Sequence, residues 1–210
     1  STPPEEWLVD VDVALSAVRA RIGRGCNRRI LVPGCGTSLL GEELAAHDEW
    51  NVLNVDFSEQ CIAVGRARTG QHPRIRWEVM DVCDLQLDDM SVDAVVDKGT
   101  LDALMCSDAF DSIVPRYAAE LRRVLKPGGD LLVITLSQPS IALPLLNELC
   151  ERSDGPDGGQ DMATRASTGG PTTSIPAQPR WASPIDVATL GNHRLFHARV
   201  PAPRRRIPAM

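Results

Sequence analysis

Hydrophobic residues along this chain follow two alternating patterns. Short runs rich in β-branched residues indicate strands, and apolar residues spaced by three and four positions indicate helices. The strand pattern occurs in five runs in the first two thirds of the chain: residues 29–32, 51–56, 75–80, 92–97 and 130–136. Helical patterns lie between or after them, at residues 40–47, 58–68, 111–125 and 140–150. This alternation predicts βαβ units and therefore an α/β protein with a parallel sheet.

The C-terminal part of the sequence predicts a different pairing. Residues 185–190 and 194–200 are strand patterns around Gly191-Asn192, which is typical of an antiparallel hairpin. The predicted fold is therefore a doubly wound, mostly parallel seven-stranded sheet that ends in an antiparallel hairpin. Residues 151–184 show no periodicity, and 18 of these 34 residues are Gly, Pro, Ser or Thr. We interpret them as a low-complexity insertion, and residues 203–210 as a basic tail, within a single domain over 1–210.

Composition and charge exclude several classes of function. The chain has 22 basic and 28 acidic residues, a net charge of −6, and only four Trp, three Phe and one Tyr. An acidic chain with few rings for base stacking is a poor nucleic-acid binder. No apolar run approaches the roughly 18 residues of a membrane span, and the first six residues do not resemble a secretory signal. We therefore expect neither nucleic-acid nor membrane partners.

The cysteines indicate a reducing compartment. Six of them, without a C-x-x-C pair, are scattered over positions 26, 35, 61, 83, 106 and 150. Such spacing is typical of free thiols rather than of a disulfide framework or a zinc site. The four histidines also lack a metal-like spacing. We expect a cytoplasmic protein without a metal site.

A glycine-rich turn follows the first predicted strand. Gly34 and Gly36 stand where a backbone without side chains approaches a ligand and where the next helix N-terminus favours an anion. Asp56 ends the second strand, 20 residues after Gly36, at the position where doubly wound folds bind ribose hydroxyls. A plain tight turn and a helix-capping acid are the structural alternatives for these two features.

Two further acids and one leucine narrow the type of nucleotide. Asp81 follows the third strand and Asp97 ends the fourth, so both carboxylates are expected in the crevice at the carboxyl ends of the strands. A dinucleotide fingerprint needs a third glycine at position 39, which is Leu39. This argues against a nicotinamide-dependent oxidoreductase. A ribose, an adenine and a cationic amino-acid part suit the acidic rim, and S-adenosylmethionine has all three.

Four segments resemble the class I S-adenosylmethionine-dependent methyltransferases, namely residues 30–38, 54–58, 76–82 and 95–104. The last contains Asp97-Lys98-Gly99-Thr100. This motif is typical of the protein lysine methyltransferases that act on eukaryotic elongation factor 1 alpha and on citrate synthase. Residues 6–9 and 121–129 also look like that branch. The glycine motif alone is shared by many substrate classes, whereas the Asp-Lys-Gly-Thr segment is much more specific.

The resemblance implies S-adenosylmethionine as cofactor and a set of residues that bind it. These residues are Trp7, Gly34, Cys35, Gly36, Asp56, Phe57, Ser58, Asp81, Val82 and Asp97. The glycine loop would line the methionine part, Asp56 would bind the ribose hydroxyls, and Asp81 with Val82 would contact the adenine edge. Trp7 would cover the cofactor, or else anchor an amphipathic helix.

The same resemblance places Asp97 and Lys98 at the methyl-transfer end, as the candidate catalytic residues. Asp97 would orient the attacking amine; the alternative is an acid that contacts the cofactor without a part in the chemistry. For Lys98 the alternative is a surface or packing residue. Three features depart from the family pattern: Val32 stands where many class I enzymes carry an acid, the aromatic segment that normally precedes Glu6-Trp7 is not found in this sequence, and residues 151–184 have no counterpart.

The sequence thus predicts an enzyme that transfers a methyl group from S-adenosylmethionine to a lysine of a protein substrate. We expect a monomer. Two alternatives of the same fold stay open at this point, because a fold does not fix a substrate. One is a small-molecule methyltransferase, and the other is a non-catalytic, methyltransferase-like binding module.

Overall fold

The computed structural model describes residues 6–22, 27–48, 50–148 and 185–202. Within these ranges the helices are α1 (Val11–Ile22), α2 (Leu40–Asp48), α3 (Glu59–Thr69), α4 (Thr100–Met105), α5 (Phe110–Val124) and α6 (Pro139–Glu148). The strands are β1 (Arg29–Pro33), β2 (Asn51–Asp56), β3 (Ile75–Val79), β4 (Val92–Lys98), β5 (Leu125–Thr135), β6 (Asp186–Leu190) and β7 (His193–Arg199).

These strands form one seven-stranded sheet in the order β3-β2-β1-β4-β5-β7-β6. Strands β1 to β5 pair in parallel, and β7 pairs antiparallel with both β5 and β6. The predicted fold class is therefore confirmed, including the C-terminal hairpin. The chain reverses its direction of winding between β1 and β4. Open α/β sheets form their ligand crevices at such a switch point.

Helices cover both faces of the sheet because successive side chains of a strand point to opposite faces. Ile30 and Val32 of β1 pack in one core with α1, α2 and α3. Leu31, which lies between them, packs in a second core with α5 and α6. Strands buried on both faces explain the nearly continuous apolar runs in the sequence. The two cores also fix where the carboxyl ends of β1, β2 and β4 lie.

Three elements differ from the sequence prediction. Helix α1 was not predicted, since small residues such as Ala14 and Ala17 contribute much of its buried face. The short helix α4 was also missed. Strand β5 begins at Leu125, which pairs with Val92, rather than at residue 130. Helix α5 does end before Lys126, as expected, but the Pro-Gly-Gly sequence that follows continues directly into the sheet.

Several sequence predictions fall outside the described residues. These are the insertion at 151–184, the basic tail at 203–210, and the cysteines at 26 and 150. In the described part, Cys35, Cys61, Cys83 and Cys106 are free thiols. No helix in that part is both long enough and apolar enough to span a bilayer.

Candidate active site

A cavity of about 390 Å³ opens at the carboxyl ends of β1, β2 and β4. Eight of the residues singled out in the sequence line it: Trp7, Gly34, Cys35, Gly36, Asp56, Phe57, Ser58 and Lys98. Val32 and Leu40 add apolar wall. The volume falls within the roughly 300–1,000 Å³ that small-molecule sites occupy. The fold therefore gathers most of the sequence-predicted residues around one hollow.

The glycine loop between β1 and α2 is closed on one side and open on the other. Gly34 and Gly36 have φ angles of +55° and +52°, which L side chains rarely adopt. A Cβ at Gly34 would lie 2.3 Å from Oγ1 of Thr100, whereas a Cβ at Gly36 would meet no described atom within 4 Å. Thr100 Oγ1 also donates to the Pro33 carbonyl at 2.8 Å. Thr100 thus holds the loop through Pro33 and Gly34, whereas the backbone of the loop at Gly36 is left free to contact a ligand in the cavity.

Asp56 joins the glycine loop to the start of α3. Its Oδ2 accepts the Gly36 N–H at 2.8 Å, and its Oδ1 accepts the Ser58 N–H at 2.9 Å. Ser58 in turn caps α3 by accepting the Cys61 N–H. A carboxylate has about four acceptor positions, so these two bonds leave room for hydroxyl donors from a ligand.

Asp97 lies at the end of β4, but its carboxylate points into the protein interior. The residue is completely buried. Its Oδ1 accepts the Thr100 N–H at 2.8 Å, and its Oδ2 accepts the Leu101 N–H at 3.1 Å. The Tyr117 hydroxyl donates to Oδ2 at 2.9 Å. Asp97 borders a small apolar void beside α5 and does not line the cavity. This corrects the expectation that Asp97 faces the methyl-transfer end.

The surroundings of Asp97 also change its protonation. Burial raises the pKa of Asp97 to about 7, although the hydrogen bonds from Thr100, Tyr117 and Leu101 lower it. Burial, followed by the charge of Asp97, raises the pKa of Tyr117 well above its usual value. The tyrosine therefore keeps its proton and remains a donor. Asp97 organises the turn between β4 and α4 through these bonds.

Lys98 lines the cavity and forms an ion pair that the sequence did not reveal. Its Nζ lies 2.9 Å from Oε2 of Glu6 and donates to the Trp7 carbonyl at 2.8 Å. The side chain of Lys98 is only 4% exposed. Glu6 also accepts the Leu39 N–H at 2.7 Å and the Ser38 hydroxyl at 2.9 Å, at the beginning of α2. Sequence reasoning missed Glu6 because no local pattern joins it to residues more than thirty positions away.

Two aromatic rings lie at the cavity with much of their surface free. Trp7 is 64% exposed and Phe57 is 83% exposed, and both line the cavity. Large exposed rings are unusual on a soluble domain unless they contact a partner or ligand. Their flat apolar faces are suited to contact a nucleobase.

Asp81 and Val82 do not line the cavity. Asp81 is exposed, and its Oδ1 accepts the Cys83 N–H at 2.8 Å, which closes a turn after β3. Val82 is buried beneath that turn. The turn does adjoin the site, because the Met80 N–H donates to the Asp56 carbonyl at 3.0 Å. The two residues thus lie beside the cavity rather than in its wall.

Cys35 contributes a neutral wall. Burial, with a further contribution from the charge of Asp56, raises the pKa of the Cys35 thiol far above its usual range. The thiol therefore stays protonated and is a poor nucleophile. Across residues 6–22, 27–48, 50–148 and 185–202, no group of three or more His, Cys, Asp or Glu side chains is placed to hold a metal ion.

Apart from Val32, seven lining residues were not singled out in the sequence: Thr37, Ser38, Leu40, Cys61, Gly99, Thr100 and Ala103. Five of them stand within the motifs that carried the family resemblance, so the motif boundaries could have indicated them. Leu40 and Cys61 reach the cavity because α2 and α3 start beside it. Their position is a property of the packing, and no local signal marks them.

Comparison with known proteins agrees with this architecture. Residues 30–129 match the family described as a methyltransferase domain. EEF1A lysine methyltransferase 4 of Bos taurus is 38% identical over 144 residues, covering 65% of this chain and 56% of that protein. Its Mus musculus counterpart is 37% identical over 119 residues, covering 53% and 47%. The chain thus spans about half the length of these curated relatives.

A solved structure has a similar fold. A putative S-adenosyl-L-methionine-dependent methyltransferase from Methanococcus maripaludis superimposes with a TM-score of 0.62 at 15% identity, covering 93% of this chain and 86% of that one. The resemblance predicted from the motifs is therefore confirmed: residues 30–129 match a methyltransferase-domain family. The resemblance to the elongation factor 1 alpha lysine methyltransferases is confirmed as well.

Proposed function

We propose that this chain binds S-adenosylmethionine in the cavity and transfers its methyl group to a lysine of a protein substrate. The observation that carries this proposal is the convergence of the glycine loop and Asp56 on one hollow of suitable volume. A helix-capping or plain-turn role does not explain a hollow of this size. The relatives named as lysine methyltransferases support the acceptor class.

The residues present fit this cofactor. Gly36 offers a free backbone face to the cavity, where any Cβ would project into open space. Asp56 keeps unused acceptor positions for ribose hydroxyls. Val32 and Leu40 supply apolar wall for an adenosine. The lining thus combines a few polar groups with a mostly apolar surface, as ligand sites generally do.

We assign the parts of the cofactor to parts of this site. Asp56, Phe57 and Ser58 would hold the nucleoside, and the loop from Gly34 to Gly36 would hold the amino-acid part. Trp7 would cover the ligand from the opposite side. Asp81 and Val82, beside the carbonyl of Asp56, remain our proposed contacts to the adenine edge.

The cofactor, when bound, supplies an activated methyl group on a sulfonium. The protein residues then have to orient an amine in line with that group and exclude water. A lysine amine attacks only when it is neutral, and burial against apolar wall favours the neutral form. Asp97 is sealed behind Thr100 and Tyr117, so we assign it the positioning of the Gly99-Thr100 turn rather than proton transfer. The amine proton then leaves to solvent.

The proposed location is the cytoplasm. Four described cysteines are free thiols, and free thiols persist in reducing compartments.

An acidic enzyme with net charge −6 also favours a basic stretch of a protein as substrate over a nucleic acid, because unlike charges attract.

Calorimetry with the whole chain tests cofactor binding. S-adenosylmethionine and S-adenosylhomocysteine should both bind, and NAD should not. Asp56→Asn should weaken binding roughly ten- to a hundredfold, because it removes a charged acceptor for the ribose. Asp89→Asn is the matched control, since Asp89 is an exposed acid paired with Arg123 away from the cavity. The absence of binding heat with both S-adenosylmethionine and S-adenosylhomocysteine would overturn the proposal.

A labelled-methyl assay with cell extract tests the acceptor. We expect label in protein, released as methyl-lysine on hydrolysis. Label in small metabolites would replace the lysine acceptor by a small molecule. Cofactor binding without any label would instead favour the non-catalytic binding module.

A further inference from the structure

Lys98 is the single cationic residue among the described residues that line the cavity. A lysine in this position has two possible tasks, which are direct contact with a ligand and support of another part of the wall. Its ammonium group is already engaged by Glu6 and by the Trp7 carbonyl, at 2.9 and 2.8 Å. Both partners belong to residues 6–9, which we call the 6–9 segment.

The 6–9 segment is attached to the domain by polar contacts at Glu6 and by apolar packing at its other end, where Val9 is buried in the core and Leu8 packs against it. Glu6 is bound at the start of α2, through the Leu39 N–H and the Ser38 hydroxyl. Leu8 lies against Gly99, where a Cβ would come within 3.3 Å of its Cδ1. Leu8 also has a φ of 72°, a conformation that a leucine holds only when neighbouring contacts enforce it. Lys98 and its partner Glu6 supply the charged contacts among these attachments.

The consequence of this anchoring is the position of Trp7. Its ring is mostly exposed and still lines the cavity, so packing in the core does not hold it in place. Its backbone carbonyl is held by Lys98, and the preceding residue is the ion-pair partner of Lys98. Releasing Lys98 would remove the hydrogen bond to the Trp7 carbonyl and the ion pair of Glu6, so the peptide that carries the ring would lose its charged anchor while Leu8 and Val9 stay packed on the core.

We propose that Lys98 is a positioning residue: with Glu6 it fixes the 6–9 segment as one wall of the cavity and so governs cofactor retention. This inference rests on the proposed function and deepens it. It replaces the expectation that Lys98 acts directly in catalysis. The buried ammonium is neutralised by Glu6, and its hydrogen bonds go to the protein. The ligand then meets Trp7 and the glycine loop.

Calorimetry with S-adenosylhomocysteine measures this role without an acceptor. Lys98→Met and Glu6→Gln should each raise Kd roughly ten- to a hundredfold, since each removes one side of a charged hydrogen bond. Lys98→Arg retains the charge for Glu6 and should recover most of the affinity. Lys126→Met is the matched control. Lys126 pairs with Asp93 at 2.7 Å near the amino ends of β4 and β5, and its loss should leave Kd unchanged.

A Trp7→Ala background separates positioning from direct contact. If Lys98 acts through the 6–9 segment, Lys98→Met should add little to the loss caused by Trp7→Ala. An equal fold-loss in both backgrounds would show direct contact with the ligand and overturn the inference. If Lys98→Met does not fold, as judged by its thermal melt, Glu6→Gln in the same two backgrounds provides the same test.

The outcomes also distinguish this inference from the proposed function. Wild-type protein that binds neither form of the cofactor overturns the proposed function. Wild-type protein that binds normally, together with Lys98→Met and Glu6→Gln variants of equal affinity, overturns only the positioning role.

Discussion

Asp97 and Asp130 are two buried aspartates on neighbouring strands with opposite surroundings. Asp97 ends β4, and Asp130 pairs with Ala94 nearer the amino ends of the strands. Their exposed fractions are 0% and 1%. Asp97 is bound only by amide and hydroxyl donors. Asp130 is contacted by two arginines and a histidine: Arg199 and His197 at 2.8 Å and Arg28 at 3.5 Å.

The two carboxylates therefore titrate in opposite directions. Burial raises the pKa of Asp97 to about 7. Burial acts on Asp130 in the same direction, but hydrogen bonds from His197 and Arg199 outweigh it and lower the pKa of Asp130. Burial alone thus does not decide the charge of a carboxyl group. The nearby cations decide it.

The two ends of the parallel strands therefore differ in the charged groups that surround their aspartates. Near the amino ends, cations join β5 and β7 around Asp130 and stabilise the sheet. At the carboxyl ends, backbone amides occupy Asp56 and Asp97, and the one described cation of the cavity wall is neutralised by Glu6. The cavity is therefore left without free positive charge, which suits a ligand that carries a sulfonium.

The largest expected loss of folding stability is for the cluster around Asp130, near the amino ends of the parallel strands. Asp130→Ala leaves the guanidinium groups of Arg199 and Arg28 without their carboxylate, and breaking a buried ion pair in this way costs about 3–5 kcal/mol. Urea denaturation at neutral pH measures the loss. Because the folded-state pKa of Asp130 is lowered, its contribution is complete above the unfolded value and disappears on acidification. The gap between wild type and variant should therefore narrow as the pH falls toward 3.

Asp89→Asn is the comparison for that measurement. Asp89 pairs with Arg123 but is 67% exposed, and exposed pairs contribute about 0–1 kcal/mol. An equal loss in the two variants would show that the Asp130 cluster does not stabilise the sheet.

An intermediate effect is expected for the glycine loop. Gly34→Ala should destabilise by about 2–4 kcal/mol, because it adds a clash with Thr100 to an unfavourable φ of +55°. Gly36→Ala shares the unfavourable φ but meets no described neighbour. It should therefore affect stability less and cofactor affinity more. Urea denaturation and calorimetry together measure the two responses.

A second-site change sharpens the same prediction. Thr100→Ala should restore part of the stability of Gly34→Ala, since it removes the atoms that a Cβ at Gly34 would meet. Full additivity of the two changes would contradict the contact between Gly34 and Thr100.

The smallest effect is expected for Asp97, with the opposite pH dependence to Asp130. Asp97→Asn should cost about 1–3 kcal/mol at pH 5, because the amide places two N–H donors where the protonated carboxyl has one, opposite groups that need an acceptor. The folded pKa of about 7 lies well above the usual value of an aspartate, so the folded state binds the proton more tightly than the unfolded state. The contribution of Asp97 is then complete below about pH 4 and falls as the pH rises through 7.

The measurement is urea denaturation from pH 5 to pH 8. The gap between wild type and Asp97→Asn should narrow as the pH rises, whereas the gap for Asp130→Ala should not. A gap that stays constant from pH 5 to pH 8 would mean that Asp97 is ionised throughout and that its hydrogen bonds outweigh burial.

Local patterns were sufficient for most of the architecture. The alternation of strand and helix patterns predicted β1 to β5 and the terminal hairpin, since burial on one or both faces leaves a periodic trace in the sequence. Local patterns failed to predict α1, whose small buried residues give a weak pattern, and the start of β5, where Lys-Pro-Gly-Gly resembles a plain turn. Turn residues indicate a change of direction but not the residue at which pairing begins.

By itself the sequence determined the class of the protein and the loop that builds its site. Glycines with positive φ and an acid at the end of a strand are local requirements, so they can be recognised from the sequence alone. Only the tertiary structure decided which acids reach the cavity, turning Asp97 inward and bringing Glu6 to Lys98. The direction of a side chain and the pairing of distant charges depend on packing between elements, which no local segment encodes.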